Sequence, residues 1–341
     1  MPLKPSLIRD TLIRYGFDEK PAGTEYYIDY IDERADDADY AKHILKVTFD
    51  SRPPLVMKFT HELPHDVIER QSRFAEHLRA RGIPTPRRYL CGEAYCAAVC
   101  AGGLTLDVTV EDWCGEELKR LDFHTARLIG ALMARIHRIS LEDGCRIGAA
   151  TLFSAAEKND VNRYDRFEKL CEDEHLDSSL ARRICALYRE KMARLSEKWP
   201  TLPVCAVQGD VSINNLHLGS NGLVIFDFNN AGDVVPVSDA ILEGLLTAYE
   251  MDLAAGLDDT DRPGLFLAFI QGYRTVRTFT PEELGAAWDI YTLYNGLWFT
   301  RITYAENSLE ELLRRGEYGQ ANHLLSSIHA DLTEADSSLF S

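Results

Sequence analysis

Residues 208–228 read QGDVSINNLHLGSNGLVIFDF, from Gln208 to Phe228. A carboxylate at Asp210 precedes an amide at Asn215, and a second carboxylate, Asp227, closes an apolar run. With VCAV just before it, the stretch predicts strand, loop, strand, a turn at Asn221-Gly222, and strand. Hard-oxygen ligands flanking a potential base suit phosphoryl transfer. One carboxylate orients the attacking hydroxyl and takes its proton, while a second carboxylate and an amide oxygen hold magnesium against phosphates. An isolated acid and amide more often close turns or cap helices. Here the pair comes with a hairpin and a second Asp, in a loop-rich island inside a helical half.

Working outward, Ser6 to Tyr15 has helical apolar spacing and stops at Gly16. TEYYIDYID, KHILKVTFD and PLVMKFTHE are rich in β-branched and aromatic residues and predict an antiparallel meander, with Pro53 and Pro54 marking the second turn. Pro64 opens a helix running to about Arg81 and stopped by Gly82, after which IPTPRRYL is extended because each proline restricts its predecessor. TLDVTVEDW continues the strand count. RLDFHTARLIGALMARIHRIS, the stretch from Ala155 to Trp199 and nearly everything after Ser238 carry apolar residues at three- and four-residue spacing. The chain is strand-rich first and helix-rich later, with the break near Asp112 to Gly115 and no internal repeat.

A chain of 341 residues with 45% hydrophobic content can bury a sizeable core. Its 37 basic and 54 acidic residues give a net charge of −17, the wrong sign for holding nucleic acid or an anionic membrane surface. The N-terminus lacks a basic stretch followed by an apolar run, and no uncharged segment is long enough to span a bilayer, so a soluble, cytoplasmic protein is expected. Eight cysteines are scattered singly. Only Cys91, Cys96 and Cys100 cluster; their spacing lacks the knuckles of zinc sites and no His stands nearby in sequence, so no metal is assigned there.

The 208–228 segment resembles the catalytic motif of the aminoglycoside phosphotransferase and choline kinase family, H-G-D-x-x-x-x-N followed by I-D-W or I-D-F. L-I-G-A-L-M-A-R-I-H-R, ending past His137, and GIPTPR after the first long helix also resemble that family, and the likeness extends over about Glu25 to Glu243. The resemblance implies an α+β, bilobal, protein-kinase-like fold. An N-terminal antiparallel β-sheet lobe with one long helix (1–112) would meet a larger, mostly helical C-terminal lobe (113–341) through a hinge at about 111–115. It also implies that Asp210 is the catalytic base, that Asn215 and Asp227 hold magnesium, and that His137 is a packing residue. Two departures stand out. Gln208 replaces the motif's opening His, and glutamine can donate and accept as well. The loop ERADDADYAK has no glycine and cannot be a Gly-rich phosphate cradle.

A kinase-like site needs a cation for the α- and β-phosphates, paired with a carboxylate on the following helix. Lys58, in the apolar strand LVMKF, is chosen over Lys46, and Glu69 is its expected partner, with Glu76 and Gln71 as alternatives on the same helix. Adenine would lie against the backbone of Glu111, Asp112 and Trp113, although Trp113 also reads as a core residue. On the acceptor side, acidic residues recur at Asp233, Asp239, Glu243, Glu250 and Asp252, and Trp288, Tyr291, Tyr294 and Trp298 share helical spacing on one face. An acidic or aromatic pocket suits a cationic amine. Such a stripe is more often core, and Asp239 more often a brace. Ser212, Asp233, Trp288, Tyr291 and Trp298 are the acceptor-side candidates.

These readings define an ATP- and Mg2+-dependent phosphotransferase, with GTP as a second donor to test, acting on an aminoglycoside-like, amino-alcohol or sugar hydroxyl. It would be a monomer or homodimer with no nucleic-acid or membrane partner. The alternative is a nucleotide-binding pseudoenzyme or regulatory module. A protein kinase is disfavoured because no A-P-E signature follows FDFNNAGD.

Overall fold

The computed structural model describes residues 3–32, 40–151, 163–219, 222–333 and 339–340. The chain divides into two compact units. Unit 1 comprises Met1–Lys119, Cys145–Ala149 and Ile213–Gly232, and unit 2 comprises Arg120–Gly144, Ala150–Ser212 and Asp233–Ser341.

Unit 1 opens with α1 (Pro5–Arg14), followed by β1 (Gly23–Asp32), β2 (Tyr40–Thr48), β3 (Leu55–Thr60), α2 (His65–Ala80), β4 (Ala97–Ala101) and β5 (Leu104–Asp112). The strands form one antiparallel sheet of order β1-β2-β3-β5-β4, so the expected meander is present. Central β3 is buried along its whole length. Its side chains alternate between the two sheet faces. Leu55, Met57 and Phe59 join Leu45, Val47, Val108 and Val110 in a cluster that also takes Ile8 and Leu12 of α1 and Tyr15 just after it. Burying each such side chain stabilises by roughly 1.5–3 kcal/mol. Val56, Lys58 and Thr60 point the other way. Gly82, at φ +83°, ends α2 in the left-handed turn that the sequence pattern called for. Strand β4 was not anticipated: AAVCA is poor in strand formers, and the hairpin from Cys100↔Thr105 across Gly102-Gly103 pairs it to β5.

Unit 2 begins with α3 (Phe123–Glu142), then α4 (Tyr164–Leu170), α5 (Ser178–Lys198) and β6 (Cys205–Val207). The helical spacing read from about Ala155 to Trp199 corresponds to two helices over its described part. Asp177, whose carboxylate accepts from the Ser179 and Leu180 amides, starts the second one afresh. Residues 155–162 lie outside the described residues. The chain then returns to unit 1 for the hairpin β7 (Leu216–Gly219) and β8 (Gly222–Ile225). Asn221 of the expected turn lies outside the described residues, as do residues 33–39 of the ERADDADYAK loop.

After β9 (Gly232–Val234), unit 2 is helical: α6 (Pro236–Glu250), α7 (Arg262–Arg274), α8 (Pro281–Gly296), α9 (Phe299–Ile302), α10 (Leu309–Arg314) and α11 (Tyr318–Thr333). Helices α3 and α7 approach backbone to backbone. A Cβ at Gly130 would collide with the Phe269 carbonyl, and one at Gly272 with the Arg127 carbonyl. Phe167, Ile184, Leu297, Ile302, Leu325 and Ile328 form a second cluster. Among the described residues, no helix is long and apolar enough to cross a membrane.

Candidate active site

In unit 1 a cavity of about 380 Å³ opens on the sheet face opposite α1. Ile28, Ile44 and Val56 line it with apolar surface; Lys58, Glu111, Asn215 and Asp227 give it charge and oxygen ligands. The register of the hairpin explains how Asn215 and Asp227, distant in sequence, reach one wall. Leu216 faces Ile225, and the Phe226 amide donates to the Asn215 carbonyl at 3.0 Å, so the flanking residues emerge side by side. The Ile225 amide donates to Pro84 O at 2.9 Å, tying the hairpin to the extended IPTP segment. Asp227 itself has φ +54°, a left-handed conformation uncommon for a residue with a side chain. Strain of this kind persists only where surrounding contacts impose it.

Lys58 is buried, with Nζ 3.0 Å from Glu111 Oε1 and 3.4 Å from Asp227 Oδ1. Arg88 closes the network, its Nε 3.2 Å from Glu111 Oε2 and its NH1 donating to Ser72 Oγ at 2.7 Å. Burial alone would push the Lys58 ammonium down, but Asp227 and Glu111 outweigh it and the shift is upward. Likewise burial would raise Asp227, yet Lys58 and then Lys42 hold it below the usual carboxylate range. Each charge keeps the other ionised. The expected Lys58–Glu69 pair does not form. Glu69 Oε2 instead accepts from the Tyr95 and Cys96 amides at 2.8 and 2.9 Å, and its other oxygen pairs with Arg73. Gln71 rather than a carboxylate faces the loop after Asp227 from α2, its Nε2 donating to Asn229 O and Ala231 O at 2.8 and 3.0 Å.

Of the three hinge candidates, Glu111 is the partner of Lys58, Asp112 accepts from the Tyr89 hydroxyl at 2.7 Å, and Trp113 lines the cavity. Trp113 is not a core residue: Lys46 Nζ lies 4.1 Å from its ring centroid and Tyr27 stands 5.4 Å away. Lys46, 3.8 Å from Glu116, thus sets a cation against a ring that lines the cavity.

Glu62 follows β3. Burial, reinforced by the charge of Asp227, pushes its carboxyl up to about 7. Lys42 Nζ, 3.3 Å from Oε2, opposes that rise without cancelling the desolvation of a largely covered carboxyl. A carboxyl raised on folding favours the folded state while protonated, so this contribution is present below its unfolded value and is lost as pH rises through about 7. Glu62→Gln should therefore raise the melting temperature relative to wild type at pH 8 and leave it nearly unchanged at pH 5. Equal shifts at both pH values would show that Glu62 does not titrate in this window.

In unit 2 the loop that carries Asp210 is fixed by two side-chain acceptors. Gln208 Oε1 takes the Asp210 amide at 2.9 Å and Glu243 Oε2 takes the Val211 amide at 2.7 Å, so Gln208 props the loop as a glutamine can. Glu243 is fully buried. Desolvation, then Asp239 and Asp210, raise its carboxyl well above the ordinary value. His137, also fully buried, bridges Asp239 Oδ2 and the Tyr273 hydroxyl, each at 2.9 Å, and Arg277 donates to the same hydroxyl. An Asp239 acceptor places the ring proton on Nε2, leaving Nδ1 to accept from Tyr273. His137 is thus a packing residue and Asp239 a brace, joining α3, α6 and α7.

The acceptor-side candidates do not converge as a stripe. Helix α8 ends at Gly296, so Trp298 lies beyond it, buried, with Nε1 donating to Glu250 Oε1 at 2.7 Å. Tyr294 is fully buried, and Tyr291 packs 5.6 Å from Trp288, 5.1 Å from Phe266 and 5.8 Å from Phe340. Ser212 and Asp233 are half-buried. Sequence reasoning missed Arg88, for which IPTPRRYL carries no periodic signal. Glu243 does not stand out there from the other acids, although a lone acid in ILEGLL is a usable cue.

A family model described as the phosphotransferase enzyme family matches residues 35–292. The chain belongs to this family and is an enzyme of the small-molecule kinase class. No curated protein matches it by sequence. Among solved structures, a microcompartment-associated aminopropanol kinase is similar at 16% identity and TM-score 0.58, over 97% of this chain and 100% of that one. The amicoumacin kinase hAmiN, solved with AMP-PNP, Ca2+ and Ami, is similar at 15% identity and TM-score 0.57, over 91% and 92%. Spectinomycin phosphotransferase APH(9)-Ia, solved with ADP and spectinomycin, is similar at 12% identity and TM-score 0.53, over 97% and 99%. These likenesses support the α+β kinase-like fold expected from the sequence.

Proposed function

We propose that the chain transfers the γ-phosphoryl group of ATP to a hydroxyl of a small, amine-bearing molecule. The observation that carries this reading is the buried Lys58 held between Glu111 and Asp227 beside Asn215. The Asn215 amide oxygen and the Asp227 carboxylate are hard-oxygen donors that suit Mg2+, which when bound supplies charge neutralisation at the phosphates. Lys58 contributes a fixed positive charge toward the α- and β-phosphates, and Glu111 and Arg88 keep its rotamer in place. Asp210 orients the acceptor hydroxyl and receives its proton. Gln208 and Glu243 hold the backbone on either side of that carboxylate, which favours transfer over a nucleotide-binding pseudoenzyme. Most of the rate enhancement would come from positioning and charge stabilisation.

The net charge of −17 and the half-buried Asp233 support a cationic acceptor. The amine-bearing compounds named with the similar kinases, aminopropanol and spectinomycin, belong to the classes to test first. The experiment is magnesium-dependent transfer of labelled γ-phosphate from ATP and from GTP to amino alcohols, aminoglycosides, sugars and hydroxy-amino acids, with Asp227→Ala as control. Product on one acceptor class, lost in that variant, is the expected result. Transfer that Asp227→Ala leaves intact would overturn the metal assignment.

A further inference from the structure

Three chemically different metal-ligating side chains meet in unit 1 at the start of α2. His65 is the first residue of that helix, Cys96 lies just before β4, and Asp107 is on β5. The Cys96 Sγ is 3.5 Å from His65 Nδ1 and 3.6 Å from Asp107 Oδ1, and the His65 Nδ1 is 2.5 Å from Asp107 Oδ1. Tetrahedral zinc, with bonds of about 2.3 Å to sulfur and about 2.0–2.1 Å to nitrogen and oxygen, separates its ligand atoms by roughly 3.3–3.6 Å. Both edges to sulfur already have that length. Only the nitrogen–oxygen edge, closed by a hydrogen bond, has to open, and it does so by a rotation of the half-exposed imidazole.

The support around the three is built as well. Glu69, one turn after His65 on the same face of α2, accepts from the Tyr95 and Cys96 amides and so fixes the backbone that carries the thiol. Asp107 is held in register by Thr60 on β3 and Ala98 on β4. The thiol is buried while the imidazole reaches solvent, which leaves an entry path and a fourth position for water. None of the three contributes to the ion network of Lys58, Glu111, Arg88 and Asp227.

We propose that His65, Cys96 and Asp107 form a binding site for a thiophilic divalent cation of the zinc type, clamping the start of α2 to β4 and β5. Binding forms one bond each from sulfur, nitrogen and oxygen. The thiol proton leaves to solvent, and the imidazole proton moves from Nδ1, where it serves Asp107, to the exposed Nε2. The burial and, after it, the charge of Asp107 that hold Cys96 protonated without metal are both offset by the cation. Zinc ligands of this kind are tuned by the groups behind them, and Glu69 takes that part here. The proposal is independent of the phosphotransfer reading, because Asn215 and Asp227 offer only oxygen.

Cobalt(II) titration of the full chain tests it, since a cobalt–thiolate bond gives a charge-transfer band in the near ultraviolet and tetrahedral cobalt gives strong visible bands. One equivalent should produce both, and zinc should abolish both by displacement. His65→Ala and Asp107→Asn should each weaken cobalt binding more than about 100-fold, the upper end of what supporting partners alone contribute. Cys96→Ser should remove the charge-transfer band, while Cys100→Ser and Asp227→Asn should leave it unchanged. His65 is half-exposed, so its variant stays folded and keeps the test decisive even where a Cys96 variant does not. Wild-type protein without a sulfur band, a band retained at full affinity in His65→Ala, or a band lost in Cys100→Ser would each overturn the assignment.

Discussion

Asp210→Asn is expected to lower turnover by about 10²–10⁴-fold, the range typical of removing a general base. Nucleotide affinity should stay near that of wild type, because Lys58, Glu111, Asn215 and Asp227, which line the cavity, are untouched. The substitution is nearly isosteric, and the main-chain amide at position 210 still finds Gln208 Oε1, so the loop keeps its shape. Measuring kcat and nucleotide Kd on the same preparation separates the roles. Equal loss of both would make Asp210 a structural residue. Because Asp210 also adds to the potential that raises Glu243, the variant should ease ionisation of that buried carboxyl, a side effect visible as a changed pH dependence of stability.

Lys58→Met should have the second largest effect, and on two observables. Removing one member of a buried ion pair leaves the others uncompensated, and such losses run to about 3–5 kcal/mol. Here Glu111 retains Arg88, whereas Asp227 loses the ammonium 3.4 Å away in the cavity wall. Nucleotide binding should fall along with stability. Adding Asp227→Asn should recover part of the stability without recovering binding, since it removes the carboxylate left uncompensated but restores no cation. A Lys58→Met protein as stable as wild type would mean that water reaches the network and screens it. Lys46→Met serves as the comparison: its ammonium sits over Trp113, a ring that lines the cavity, and its loss should touch binding only.

The strand meander, the long α2 and the hairpin that carries Asn215 and Asp227 were legible because each rests on local chemistry. Alternation, proline and glycine mark their own boundaries, and a two-strand register turns the spacing between Asn215 and Asp227 into adjacency. The partner of Lys58 was not legible. That choice depends on which side chain the sheet register delivers, and β3 against β5 delivers Glu111, two residues from the facing position at Thr109. Glu69 looked suitable on helix spacing alone, but two main-chain amides at Tyr95 and Cys96 claim it first. The aromatic stripe failed for a similar reason. Helical spacing is blind to where a helix stops, and α8 stops before Trp298. The meeting of His65 with Cys96 is a tertiary fact, carried by strand order, and a search for nearby histidines along the chain could not find it.

Unit 1 is assembled from three separate stretches of sequence, and the last of them, residues 213–232, supplies Asn215 and Asp227. During synthesis the five-stranded sheet can form as soon as its last strand, β5, has emerged, but its cavity then lacks a wall and Lys58 lacks Asp227. The intervening residues, which build much of unit 2, must be made before the wall arrives. While residues 113–227 are being made the nascent chain therefore holds a half-neutralised lysine in the sheet, and the cavity is among the last parts of unit 1 to mature.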